Sequence, residues 1–123
     1  ITLDVNEEIM VRGQEEKISQ VFVNLIQNAS RFTRQNGVIT VTAKQHVNDI
    51  VEVSVSDTGT GIAPERLAHV FERFYKVDRS RRDGGTGLGL SIVKHLVQAQ
   101  GGEVFVDSVE GEGSTFKFTL PVA

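Results

Sequence analysis

An α+β two-layer sandwich, with a mixed but mostly antiparallel sheet packed against about three helices, is the fold class this sequence predicts. Three observations lead there. An apolar stripe at three- and four-residue steps runs through residues 15–32. β-rich runs come in pairs with turn-forming residues between them, which is the pattern of hairpins. Helical and β patterns are mixed along the chain without a strict βαβ alternation, so the helices are expected to gather on one face of the sheet.

The elements follow in order. Residues 1–5 and 9–12 read as two short strands joined by Asn6-Glu7-Glu8, and Gly13 breaks the chain. In residues 15–32, Ile18, Val21, Phe22, Leu25, Ile26, Ala29 and Phe32 share one helical face. Asn36-Gly37 is a turn, and residues 38–43 and 50–56 read as an antiparallel hairpin. Asp57-Thr58-Gly59-Thr60-Gly61 is a glycine loop. Pro64 suits the first turn of a short helix reaching to about residue 74. Residues 75–87 carry no periodicity and read as a mobile loop. A helix over residues 90–100 should end at Gly101-Gly102. Residues 103–107 and 114–120 close the chain as a hairpin across Gly111-Glu112-Gly113.

Composition narrows the function classes. The 123 residues suffice for one domain, 1–123, with a real core. No run of apolar residues is long enough to span a membrane. The first residues, Ile-Thr-Leu-Asp, include no initiator methionine, so the chain is expected to be a piece of a longer protein. Without cysteine there are no disulfides, thiol nucleophiles or thiolate metal sites, which fits a reducing compartment. A net charge of −3 makes no electrostatic case for nucleic acid as a partner. Positive charge is local, at Arg73, Lys76, Arg79, Arg81 and Arg82.

That basic run precedes Gly84-Gly85-Thr86-Gly87-Leu88-Gly89-Leu90. A glycine run opening a helix exposes unpaired N–H groups and the positive end of the helix dipole, an arrangement suited to phosphate. It is not a P-loop, because Leu90 stands where the lysine belongs. Nor is it a dinucleotide fingerprint, because the third glycine is missing and a charged run precedes it. A surface loop with a glycine-rich tip is the plain alternative.

The helix of residues 15–32 carries a polar stripe of Lys17, Gln20, Asn24, Gln27, Asn28 and Arg31. Asn24, Asn28 and Arg31 recur at helical spacing, and asparagine is a poor choice for a merely solvated helix face. Amide oxygens are hard ligands suited to Mg²⁺, and arginine neutralises phosphate. Asp57, at a strand end beside Gly59 and Gly61, is placed to accept a hydrogen bond from an exocyclic amine such as that of adenine. It could equally form an Asx-turn that caps its own loop. Asp57-Thr58-Gly59 is also the signature of aspartic proteases, but strong helices do not suit that fold. Phe71 and Phe74 are expected to anchor a helix end in the core, with Arg73 and Lys76 exposed as candidates for γ-phosphate contact. His46, His69 and His95 show no ligand spacing.

Four stretches stand in fixed order: Asn24-x-x-x-Asn28-Ala29, Asp57-x-Gly59-x-Gly61, Phe71-x-x-Phe74 and Gly85-x-Gly87-x-Gly89-Leu90. Together they resemble the N, G1, F and G2 boxes of the catalytic ATP-binding domain of bacterial sensor histidine kinases. The likeness covers nearly the whole chain, including Gly101-Gly102 and Gly113-Ser114-Thr115-Phe116. It implies a Bergerat-type sandwich, ATP and Mg²⁺ as ligands, and a lid over about residues 71–87.

The resemblance also implies roles. Asn24 would coordinate Mg²⁺, and Asn28 would meet phosphate or the metal's waters. Arg31 would meet the phosphates, and Phe32 would lie near the adenine. Asp57 would bind the adenine amine within the Asp57–Gly59–Gly61 loop, and Gly61 and Ile62 would line the base. Arg73 and Lys76 would reach in from the lid. The backbone through Gly85, Thr86, Gly87, Leu88 and Gly89 would hold the phosphates, and Thr115 would flank the base. Arg31 stands where lysine is usual. Gln14 stands where aspartate commonly precedes the first box, which should weaken a helix cap.

Related ATPases such as type II topoisomerases carry glutamate in place of Asn24 to activate water, and an amide is no general base. The implied activity is therefore protein-histidine kinase: γ-phosphate donated to a histidine on a separate dimerisation domain in two-component signal transduction. The acceptor histidine is expected outside this chain. The implied partners are that domain and a response regulator. The isolated domain is expected to be monomeric and cytoplasmic, with a parent that an inner membrane could anchor.

Overall fold

The computed structural model describes residues 2–4, 14–33, 37–46, 49–72 and 89–121. Among them the order is β1 (Thr2–Asp4), α1 (Glu15–Phe32), β2 (Ile39–His46), β3 (Ile50–Asp57), α2 (Pro64–Leu67), α3 (Gly89–Ala99), β4 (Val104–Val109) and β5 (Gly113–Pro121). The strands form one sheet in the order β1-β2-β3-β5-β4. Every neighbouring pair is antiparallel except β1 with β2. This is the expected mixed, mostly antiparallel sheet. The parallel pair follows from α1 lying between β1 and β2 in the chain, since parallel strands need a crossover. The second expected strand, residues 9–12, lies outside the described residues.

Alternation along β3 puts Val51, Val53, Val55 and Asp57 on the covered face. The register sets Leu120, Phe118, Phe116 and Ser114 of β5 beside them in that order. On β2, Val41 and Ile39 complete the rows through Val55 and Asp57. Onto this surface α1 buries Val21, Leu25, Asn28 and Ala29, and α3 buries Val93 and Val97. Phe22 meets Phe118 edge to face at 5.4 Å. Fully burying one such ring stabilises by about 1.5–3 kcal/mol. The core is thus one layer of side chains between the sheet and the two longer helices.

The two longer helices run antiparallel. The Gln14 N–H donates to Gln100 Oε1 at 2.9 Å, and Asn24 Nδ2 donates to the Gly89 carbonyl at 3.3 Å. α3 closes in a Schellman motif, with Gly102 N–H donating to Val97 O at 2.9 Å and Gly101 N–H to Gln98 O at 3.1 Å. Gln14 is the N-cap of α1 and makes no side-chain capping bond, as its residue type suggested. Gln14→Ser should supply a cap to the first turn and stabilise the domain by about 1 kcal/mol. A thermal melt reads this as a rise of a few degrees, and an unmoved midpoint would show that the Gln100 contact already suffices.

Three expected boundaries shift by more than one residue, one of them the end of β4, which reaches Val109 rather than residue 107. β2 continues to His46 rather than stopping at residue 43, because Gln45 and His46 still pair with Val51 and Ile50. α2 ends at Leu67 instead of about residue 74. The chain continues through tight turns, with His69 N–H on Arg66 O at 3.0 Å and Glu72 N–H on His69 O at 2.9 Å. These turns let two consecutive residues reach inward. Val70 is 2% exposed, and Phe71 packs edge to face on Phe116 at 6.1 Å. Phe74 and the expected loop 75–87 lie outside the described residues.

Candidate functional site

The site begins at the end of β3. There the apolar rows give way, beside Ile39 of β2, to a polar run, Asp57–Ser114–Ser108, read across β3, β5 and β4. Asp57 is 7% exposed and faces the helix layer. One carboxylate oxygen accepts the Gly59 N–H at 2.9 Å, so the Asx-turn does form. Burial pushes the Asp57 carboxyl above the ordinary aspartate value, and bonds from the Gly59 and Ser114 backbones offset this only in part. A loop cap needs no burial, so this buried carboxylate at a strand end is placed to accept a further donor from the helix side.

The loop after Asp57 is clamped on three sides. The Thr60 N–H donates to the Phe32 carbonyl at 3.3 Å, which ties the loop to the end of α1. Thr58 exchanges bonds with Val38 at the start of β2, at 3.1 and 2.9 Å. The Gly111 N–H donates to Thr60 O at 2.7 Å, and the Ile62 N–H to Ser108 Oγ at 2.7 Å, which ties the loop to the last hairpin. A Cβ at Gly59 would overlap the Phe32 carbonyl and lie 2.9 Å from Asp57 Oδ1. Gly61 has φ +70°, and a Cβ there would overlap the Val109 carbonyl. Both glycines are therefore required by close backbone approach. Ile62 is 3% exposed and joins the core.

α1 brings the amides to the same side. Asn28 lies on the buried face with Leu25 and Ala29, although the sequence grouped it with the polar stripe. It is 8% exposed, and among the described residues its amide has no hydrogen-bonding partner. No polar side-chain atom among them is sealed from solvent without a partner, so the Asn28 amide opens onto accessible space. One turn earlier, Asn24 Oδ1 accepts Gln20 Nε2 at 2.6 Å while its Nδ2 holds the Gly89 carbonyl. An amide oxygen has two lone pairs, so Asn24 keeps one for a ligand. Arg31 is half-buried in the last turn, and Phe32 supplies the carbonyl on which the Asp57 loop sits.

Asn24 thus touches the first residue of α3, where helix N–H groups are unpaired. Gly89 is exposed, and a Cβ there would meet open space. Arg73, Lys76, Gly85, Thr86, Gly87 and Leu88 lie outside the described residues. What the structure brings to one side of the sheet is Asp57, Gly59, Gly61, Ile62, Asn28 and, through α3, Asn24 and Gly89.

One expected site residue sits elsewhere. Thr115 pairs with Ser56, and their hydroxyls are 2.9 Å apart, on the face opposite Asp57. The reason is strand parity: Phe116 and Phe118 face the helices, so Thr115 cannot. Ser114 takes the place expected of Thr115, in register with Asp57 and 7% exposed. Ser108 was also missed. Its Oγ lies 2.9 Å from Gly113 O and 2.8 Å from Ser114 Oγ, besides accepting from Ile62. The alternation Ser114, Phe116, Phe118, Leu120 was the signal that could have found Ser114. Nothing local marks Ser108.

Among the described residues there is no group of three His, Cys, Asp or Glu side chains fit to hold a metal, and no helix long and apolar enough to cross a membrane. A divalent ion at this site would have to rely on amide oxygens, phosphate and water.

Residues 13–123 match the family described as histidine kinase-, DNA gyrase B-, and HSP90-like ATPase. The sensor histidine kinase WalK of Bacillus subtilis (strain 168) is 42% identical over 119 residues, which is 94% of this chain and 20% of WalK. The chain therefore spans about a fifth of that relative's length. Among solved structures, the nucleotide-free catalytic domain of histidine kinase ThkA superposes with a TM-score of 0.84 at 31% identity, covering 98% of this chain and 77% of that one. Full-length ShkA in complex with AMPPNP gives a TM-score of 0.86 at 36% identity, covering 99% of this chain and 25% of that one. Fold, box order and relatives agree: the chain belongs to the histidine kinase-, DNA gyrase B- and HSP90-like ATPase family, as an ATP-binding catalytic domain of the sensor histidine kinase kind.

Proposed function

We propose that this domain binds Mg-ATP between the Asp57 loop, α1 and the start of α3, and donates the γ-phosphate to a histidine on a separate helical dimerisation domain. The observation that carries the reading is Asp57. It is a buried acid at a strand end, on the helix-covered face, backed by a glycine that no larger residue could replace. In this reading the carboxylate accepts the exocyclic amine of adenine, and Gly61 and Ile62 line the base. The open amide of Asn28 and the free lone pair of Asn24 fit a hydrated magnesium ion and phosphate oxygens. Magnesium, when bound, neutralises phosphate charge. Arg31, Arg73 and Lys76 add to that neutralisation, and the backbone from Gly85 to Gly89 holds the phosphates at the head of α3. The likeness to ShkA, solved with AMPPNP, supports the nucleotide.

Catalysis is then positioning and charge neutralisation. Asn24 stands where a hydrolase needs a base, and an amide does not take a proton from water. Transfer to histidine is thus favoured over hydrolysis. The parent is a longer kinase, the domain is cytoplasmic and monomeric by itself, and a response regulator receives the phosphoryl group.

The test joins this domain to a histidine-containing dimerisation domain and supplies ATP labelled in the γ-position. Acid-labile phosphohistidine is expected. Tight ATP binding with no label on any histidine would reduce the domain to a nucleotide-binding regulator. Asn24→Ala should lower Mg-dependent affinity for a non-hydrolysable ATP analogue about tenfold, the weight of one good ligand contact. A variant whose affinity still rises with magnesium as much as the native chain's would remove Asn24 from the metal site.

A further inference from the structure

We infer that Ser108 makes this site selective for an amino group over a keto group on the base, by fixing the direction of the Ser114 hydroxyl. The inference rests on the adenine reading of Asp57 given above. Ser108 Oγ has three neighbours: the Ile62 N–H at 2.7 Å, the Gly113 carbonyl at 2.9 Å and Ser114 Oγ at 2.8 Å. A hydroxyl has one proton and two lone pairs. The Ile62 N–H can only donate, so it takes one lone pair. The Gly113 carbonyl can only accept, so it takes the proton. The remaining lone pair faces Ser114, which must then donate. No other assignment satisfies all three contacts.

The Ser114 proton is therefore used up, and its oxygen can act only as an acceptor toward anything else. Ser114 stands opposite Asp57 in the register, and each is 7% exposed. The buried polar row thus offers acceptors alone, a carboxylate and a hydroxyl oxygen. An exocyclic amine brings two N–H groups and suits such a pair. A carbonyl at the same position would set lone pair against lone pair and leave buried acceptors unpaired. Ser108 is one strand further out and acts through Ser114 and Ile62, so it is a positioning residue. It also holds the loop that lines the base to the last hairpin.

The probes are ATP, inosine triphosphate, which carries a keto group in place of the amine, and tripolyphosphate, each with magnesium. The native chain should prefer ATP to inosine triphosphate. Ser108→Ala should narrow that preference about tenfold, the weight of one directed hydrogen bond, and leave tripolyphosphate binding unmoved. Ser108→Thr, which keeps the hydroxyl, should restore the preference. Ser114→Ala should narrow it too, and the double variant should add nothing, because the two residues form one chain. An unchanged ATP preference in a folded Ser108→Ala protein, or fully additive losses, would overturn the inference. Should Ser108→Ala not fold, Ser108→Cys fills the same space with a poor acceptor and must show the same narrowing. A native chain that binds both nucleotides equally would overturn the adenine reading of Asp57 and this inference with it. A native preference untouched by the Ser108 variants would overturn this inference alone.

Discussion

Asp57→Asn should abolish most of the domain's affinity for ATP and leave the fold intact. Asparagine has one side-chain oxygen, and the Gly59 N–H already occupies that position at 2.9 Å. The NH₂ group would then confront the adenine amine, donor against donor. Loss of a charge-assisted bond in a buried place should cost about 2–3 kcal/mol, roughly a hundredfold in affinity. Calorimetric titration with a non-hydrolysable ATP analogue measures it directly. Wild-type affinity in the variant would place the base elsewhere.

The same residue predicts a pH dependence whose sign can be worked out. Burial raises the carboxyl in the folded state above its unfolded value. Between the two values the folded protein holds more protons than the unfolded chain, so stability falls as pH rises through that window. Above it the cost of the desolvated charge is constant. Asp57→Asn should therefore melt at or above the native temperature at neutral pH, and the difference should shrink as the solution is acidified through the window. ATP affinity should run the other way and weaken as the carboxylate is protonated, at a higher pH than an ordinary aspartate would give. A native affinity that is flat across the acid range would separate Asp57 from recognition.

Gly59→Ala is the second large effect. The added Cβ would overlap the Phe32 carbonyl and press on Asp57 Oδ1 at 2.9 Å. Neither neighbour is free to yield. The Phe32 carbonyl ends α1 and accepts the Thr60 N–H, and Asp57 is held by the Gly59 N–H itself. Backbone must move, and the expected destabilisation is about 3 kcal/mol. Denaturant unfolding should show the midpoint falling at unchanged slope. ATP binding should weaken even where the variant is folded, because the shift separates Asp57 from the end of α1. Native stability in the variant would mean that the loop is looser than its contacts indicate.

Much of this was readable from local pattern. The apolar spacing in residues 15–32 defined α1 to the residue, and Gly101-Gly102 marked the end of α3. Turn-forming residues between β-rich runs located both hairpins, because hairpin pairing is local. Asp57 and the ordered boxes pointed to a nucleotide site because glycines and a lone acid at a strand end are chemically unusual in plain structure.

Other features needed the fold. Asn28 was grouped with the polar stripe yet lies on the buried face, since the width of a helix's covered face depends on what packs against it. Thr115 was chosen over Ser114 because side-chain identity outweighed parity, and parity decides which face a strand residue serves. α2 was drawn too long because its continuation is shaped by Val70 and Phe71 reaching the core, a tertiary demand.

By itself, then, the sequence determined the two longer helices, the hairpins, the acid at the end of β3 and the family to which the chain belongs. Only the tertiary structure decided that β5 lies between β3 and β4 and that buried Asp57 and Ser114 stand in one row with part-buried Ser108. The physical reason is distance along the chain. Pairing β3 with β5 joins segments separated by two helices, and no local preference encodes such a contact. It is selected by the burial of Val55 beside Phe116 and Val53 beside Phe118 under α1 and α3.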